Sequence, residues 1–84
     1  MKEINYQTSG TCSRLIHVEL DDNNVIQSCY FIGGCNGNLQ GISKLIIGHK
    51  AEDIIERVKG ISCNGRPTSC PDQLSKALEQ AIKA

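Results

Sequence analysis

The sequence predicts an α+β fold of two layers: an antiparallel β-hairpin or small sheet, followed by three helices packed on one of its faces. Two observations carry that prediction. Residues 14–20, RLIHVEL, alternate in polarity, with Ile16, Val18 and Leu20 on one side and His17 and Glu19 on the other, as a half-buried strand does. Beyond Gly33 the apolar period changes to helical spacing and stays there to the end of the chain. Strands first and helices afterwards is the order of an α+β domain. The 84 residues suit one domain spanning 1–84, below the size at which a single core is comfortably stable.

The elements follow in order. A first strand is expected around Ile4–Tyr6, and the second covers 14–20. DDNN at 21–24 is dense in turn formers and closes a short hairpin, with VIQSCYFI at 25–32 as the returning strand. GGCNGN at 33–38 is a glycine-rich elbow leading into a helix that opens near Asn36–Asn38, with Leu39, Ile42, Leu45 and Ile46 inward and Gly48 as its stop. A second helix covers 51–59, with Ile54, Ile55 and Val58 inward and Gly60 as terminator. After a loop at 61–70, the last helix is expected to begin at Pro71, which suits a first helical position because its missing donor is not needed there. Leu74, Ala77, Leu78, Ala81 and Ile82 form its apolar stripe.

Composition narrows the function classes. One Phe, two Tyr and no Trp leave the core to aliphatic residues, and 9 basic residues balance 9 acidic ones. A net charge of zero gives no broad electrostatic attraction for nucleic acid or an anionic membrane, so neither is expected as a partner. MKEINYQTSG contains no apolar run, hence no signal peptide or membrane span is read there, and the expected location is the cytoplasm.

Five cysteines, at 12, 29, 35, 63 and 70, are many for this length. An odd count in a reducing compartment argues against a disulfide framework and leaves metal ligation, redox chemistry or packing. If Pro71 opens the last helix, Cys70 takes the cap position, beside unpaired backbone N–H groups and the positive end of the helix dipole. Cys35 stands similarly before the helix that follows the elbow. Such sites favour thiolate over thiol. Cys12 and Cys63 fall at element ends, where loops can bring side chains together. Cys29, inside a strand between Ser28 and Tyr30, reads as a small buried hydrophobe. No C-x-x-C knuckle is present, and the cysteine spacings match no short zinc signature.

His17, on the polar side of its strand, and His49, after a helix-ending glycine, read as solvated surface residues. The elbow GGCNGN lacks the lysine and the G-x-G-x-x-G frame of phosphate loops. No Ser–His–Asp set or paired carboxylate site can be assembled.

GGCNGNLQGISKLI, VKGISC and TSCPDQLSKAL resemble the TSCPD domain, named for the string at 68–72, from about Thr11 to the end of the chain. That domain is known as a C-terminal appendage of cobalamin-dependent ribonucleotide reductases and as short free-standing proteins. The cysteines matching its pattern are Cys12, Cys35, Cys63 and Cys70; Cys29 falls outside it. The chain is more distantly similar to U-type iron–sulfur cluster scaffolds, on whose three cysteine positions Cys12, Cys35 and Cys70 fall. It departs from them where they carry an aspartate and a histidine, reading Ser13–Arg14 and Ser69 instead, and Cys63 adds a fourth sulfur. The resemblance implies that these sulfurs converge in space.

Four functions follow from this reading. The leading one is a metal-binding accessory module in which Cys12, Cys35, Cys63 and Cys70 hold structural zinc or an iron–sulfur centre. The others are thiol redox donation to a ribonucleotide reductase, transient cluster assembly or carriage, and a domain whose function lies in a protein-binding surface. The implied partner is a ribonucleotide reductase or another redox or cluster protein. Eighty-four residues are too few for the radical-generating cofactor and nucleotide-binding barrel of a reductase, so any such role is expected to be accessory.

Overall fold

The computed structural model describes residues 1–11, 13–33, 36–62, 65 and 68–84. Its elements run β1 (Lys2–Gln7), β2 (Ser13–Leu20), β3 (Ile26–Gly33), α1 (Asn36–Leu45), α2 (Ala51–Val58) and α3 (Cys70–Lys83). The strands form one antiparallel sheet in the order β1-β2-β3. The first strand is thus a full partner, pairing Ile4 with Val18 and Tyr6 with Ile16.

The β2–β3 turn is built by the acidic and amide residues expected there. Asp21 Oδ1 accepts from the N–H groups of Asn23 at 2.8 Å and Val25 at 2.9 Å. Asn24 adopts a left-handed φ of 63°, which asparagine tolerates better than most residues. A register shift follows: Glu19 pairs with Ser28 but Leu20 with Ile26, so Gln27 is the extra residue of a bulge. Beyond it the strand's alternation is restored, and Cys29 and Phe31 join Val18 and Ile16 on the inner face.

The segment after α1 closes the same end of the sheet. Gly48, at φ 86°, donates to Ile26 O, while Ile26 N–H donates to His49 O, both at 2.9 Å. Only glycine adopts that φ without a steric cost. α1 therefore stops at Leu45, short of the expected end, because residues 46–48 turn to make this contact. Leu45 consequently points outward, 76% exposed, although helical spacing assigned it inward.

α3 packs on β1 and β2, α1 on β3, and α2 on α3. The core joins Ile16, Val18, Leu20 and Ile26 of the sheet to Leu74, Ala77, Leu78 and Ala81 of α3, with Ile46, Ala51 and Ile54 closing the helical side. Each large aliphatic chain buried there contributes on the order of 1.5–3 kcal/mol. Among the described residues, no helix is long and apolar enough to cross a membrane.

Candidate functional site

The entrance of α3 is held by a network of side-chain hydrogen bonds. Ser69 is its cap: the hydroxyl accepts from Asp72 N–H at 3.2 Å and donates to Ile61 O at 2.6 Å. The expectation that Cys70 caps the helix and Pro71 opens it is corrected by one position. Cys70 is the first helical residue and Pro71 the second. The reason is chemical, since a serine hydroxyl reaches the orphan N–H groups as a short oxygen acceptor and thiols do so poorly.

Asp72 braces this entrance from within. It is buried, yet its carboxylate accepts from Thr68 Oγ1 at 2.5 Å and from Gly60 N–H at 2.7 Å. Those two bonds, the Thr68 hydroxyl first, hold the Asp72 carboxyl below its ordinary pKa against the opposing effect of burial. Gln73 extends the brace to the β1–β2 connection, donating to Thr68 Oγ1 at 3.0 Å and accepting from Ser9 N–H at 3.1 Å. A side chain at Gly10 would stand 2.9 Å from Thr68 Cγ2, so the connection passes this helix end closely.

Three of the four predicted ligands, Cys12, Cys35 and Cys63, lie outside the described residues. The fourth, Cys70, sets its Sγ 3.3 Å from Ser13 Oγ. Ser13, buried at the start of β2, also pairs with Gly33 at the end of β3. Ile61 joins the same region through its carbonyl bond to Ser69. The described neighbours of the cysteines thus gather at one end of the sheet: Ser13 follows residue 12, Gly33 lies two before residue 35, and Ile61 two before residue 63.

Cys29 sits apart on the inner face. Burial pushes its thiol up to about 11, partly opposed by a hydrogen bond from Ser43. A thiol that resists ionisation is a packing group, as its place within a strand suggested.

His17 overturns its reading as a solvated surface residue. It lies on the sheet face opposite the helices but is only 7% exposed. Its Nδ1 is 2.6 Å from Asn5 Oδ1, its Nε2 is 2.9 Å from Glu19 Oε2, and its ring stacks on Tyr30 with centroids 4.7 Å apart. Alternation identifies the face correctly; the burial comes from cross-strand neighbours. Asn5, His17 and Tyr30 form one row only once the strands are in register. His49 is exposed, as expected.

Comparison with known proteins yields no match among curated proteins or solved structures. A family model, by contrast, matches residues 2–82, adding β1 to the part in which the motifs stand out. The string for which that family is named spells the brace of α3, from Thr68 through the Ser69 cap to the Asp72 carboxylate, and with the match running almost end to end the chain belongs to the TSCPD domain family.

Proposed function

We propose that this chain is a small cysteine-rich metal-binding accessory module, related to ribonucleotide reductases, in which Cys12, Cys35, Cys63 and Cys70 hold zinc or an iron–sulfur centre. One observation carries the reading: Ser13 meets both Gly33 through the sheet and Cys70 Sγ at 3.3 Å. The residue after Cys12 thus meets both Cys70 and Gly33, two residues before Cys35, and the Ile61–Ser69 bond ties the segment before Cys63 to the same helix end.

The donor chemistry fits such a centre. Thiolates are soft ligands suited to zinc and to iron–sulfur clusters, and a serine hydroxyl beside a ligating sulfur is a typical supporting contact. The bound metal would supply cross-linking of four chain segments. The capped helix would orient Cys70, and the Ser13 hydroxyl stands beside its sulfur. Membership of the TSCPD family supports a ribonucleotide reductase as partner and an accessory rather than self-sufficient role. With a net charge of zero, a partner surface rather than nucleic acid is the proposed target, and the cytoplasm the proposed location.

Elemental analysis and an ultraviolet–visible spectrum of anaerobically purified protein test the proposal. Zinc or iron is expected in stoichiometric amount, and to fall in a Cys70→Ser variant. Because structural zinc contributes on the order of 10 kcal/mol to folding, a chelator is expected to unfold the domain. Protein that is metal-free as purified and keeps its circular dichroism in chelator refutes the reading.

A further inference from the structure

The sheet face turned away from the helices carries a second group of ligand-type side chains, unrelated to the cysteines. Glu3, His17 and Glu19 each bring one ligand atom to within 4.8 Å of the others. Glu3 and Glu19 are direct cross-strand partners, and His17 follows two residues from Glu19 on the same face. Like charges directly opposed on neighbouring strands repel. A cation between the two carboxylates would relieve that repulsion.

The imidazole points the same way. The His17 side chain is only 9% exposed, and Asn5 and Tyr30 fix its ring. Nδ1 stands 2.6 Å from the Asn5 amide oxygen, to which it donates in the tautomer that leaves Nε2 free to ligate. With the proton on Nδ1, Nε2 and Glu19 Oε2 are two acceptors 2.9 Å apart, a contact that a shared cation would relieve. In a tetrahedral centre with bonds of about 2.0–2.2 Å, neighbouring N and O ligands stand roughly 3.3–3.6 Å apart, so Nε2 and Oε2 would separate by a few tenths of an ångström on binding. Asn5 supplies the outer contact that a ligating histidine ordinarily has, an acceptor on the other ring nitrogen that fixes the tautomer.

We infer that Glu3, His17 Nε2 and Glu19 form a divalent transition-metal site, suited to zinc, on the open face of the sheet. Imidazole and carboxylate suit zinc, and three protein ligands leave a coordination position open to water or to a carboxylate of a docking partner. Glu3 is exposed and free to swing in as the third ligand. The site is distinct from the thiol centre proposed above and does not depend on it.

Zinc chloride titrated into the anaerobically purified full-length protein, followed by the imidazole ¹⁵N resonances, tests the inference. The His17 Nε2 resonance is expected to move and saturate with one zinc, while the exposed His49 serves as the internal reference. Glu3→Gln, at an exposed position that keeps the fold, is expected to weaken the His17 response by about tenfold or more. Cys70→Ser is expected to leave it unchanged, which separates this site from the thiol centre. A His17 ring that does not respond to millimolar zinc, whichever of its nitrogens carry protons, overturns the proposal. So does a response that disappears in Cys70→Ser while the fold persists, or one that Glu3→Gln leaves intact.

Discussion

Replacing Asp72 by asparagine tests whether an ionised carboxylate holds the α3 entrance. The substitution keeps the shape and leaves one oxygen for Gly60 N–H, but removes the charge and puts an amide group where Thr68 Oγ1 now donates. Hydrogen bonds to a charged group contribute about 1.5–3 kcal/mol against about 0.5–1.5 for neutral pairs, so two such bonds lose roughly 2 kcal/mol together. Loss of a negative charge in the first turn adds about 0.3–1 kcal/mol through the helix dipole. For a domain of this size, a total near 2–3 kcal/mol lowers Tm by roughly 8–24 °C. The pH dependence fixes the cause. The folded carboxyl titrates below its ordinary value of 3.8, so in the interval between the two values the unfolded chain binds more protons and stability rises with pH. The contribution is complete above the ordinary value and is lost as pH falls through the lower, folded one. Urea midpoints of the parent and Asp72→Asn are therefore expected to differ by a constant amount from about pH 7 to about pH 5 and to converge in more acid solution. A difference that persists unchanged to about pH 2, or one below about 0.5 kcal/mol at neutrality, refutes the role given to the charge.

Two further outcomes follow from the core. Leu78, fully buried between α3 and the sheet, is expected to cost about 2–5 kcal/mol as Leu78→Ala, enough to bring a domain of this size close to its unfolding threshold. Urea unfolding followed by circular dichroism reads this, and a loss below about 1 kcal/mol contradicts the packing described. Cys29, with its thiol pushed up to about 11 inside the sheet–helix core, is expected to resist iodoacetamide at neutral pH in the folded chain and to react promptly in denaturant. Peptide mass mapping reads the difference, and prompt labelling of folded protein contradicts the burial.

The order of elements was legible because strand and helix periods differ and because glycine marks helix ends chemically. Ile16, Val18 and Leu20 fall inward as alternation requires, and Leu74, Ala77, Leu78 and Ala81 as helical spacing requires. What escaped was set by contacts between distant segments. Leu45 has the spacing of a core residue, but α1 ends there so that Gly48 can reach Ile26. His17 sits among polar alternates, and only strand register stacks Asn5 and Tyr30 around it. At the site, the motif marked the right helix entrance but the cap was misassigned by one residue. The pattern of a serine, a proline and an acid fits two registers equally, and only the Ser69 hydroxyl bond to Asp72 chooses between them.

That choice also separates two roles within one five-residue string. Thr68, Ser69 and Asp72 make the hydrogen bonds that cap the helix and tie it to Gly60 and Ile61, and Pro71 adds a fixed φ in the first turn. Those residues suffice to explain why the helix starts where it does, and alanine at position 70 would satisfy the helix as well. The thiol therefore needs another explanation. Its contact with Ser13, across 57 positions of sequence, points to the meeting place of strand ends rather than to the helix itself. The string thus braces the helix end that carries Cys70, as the metal-binding role proposed above would require of a ligand.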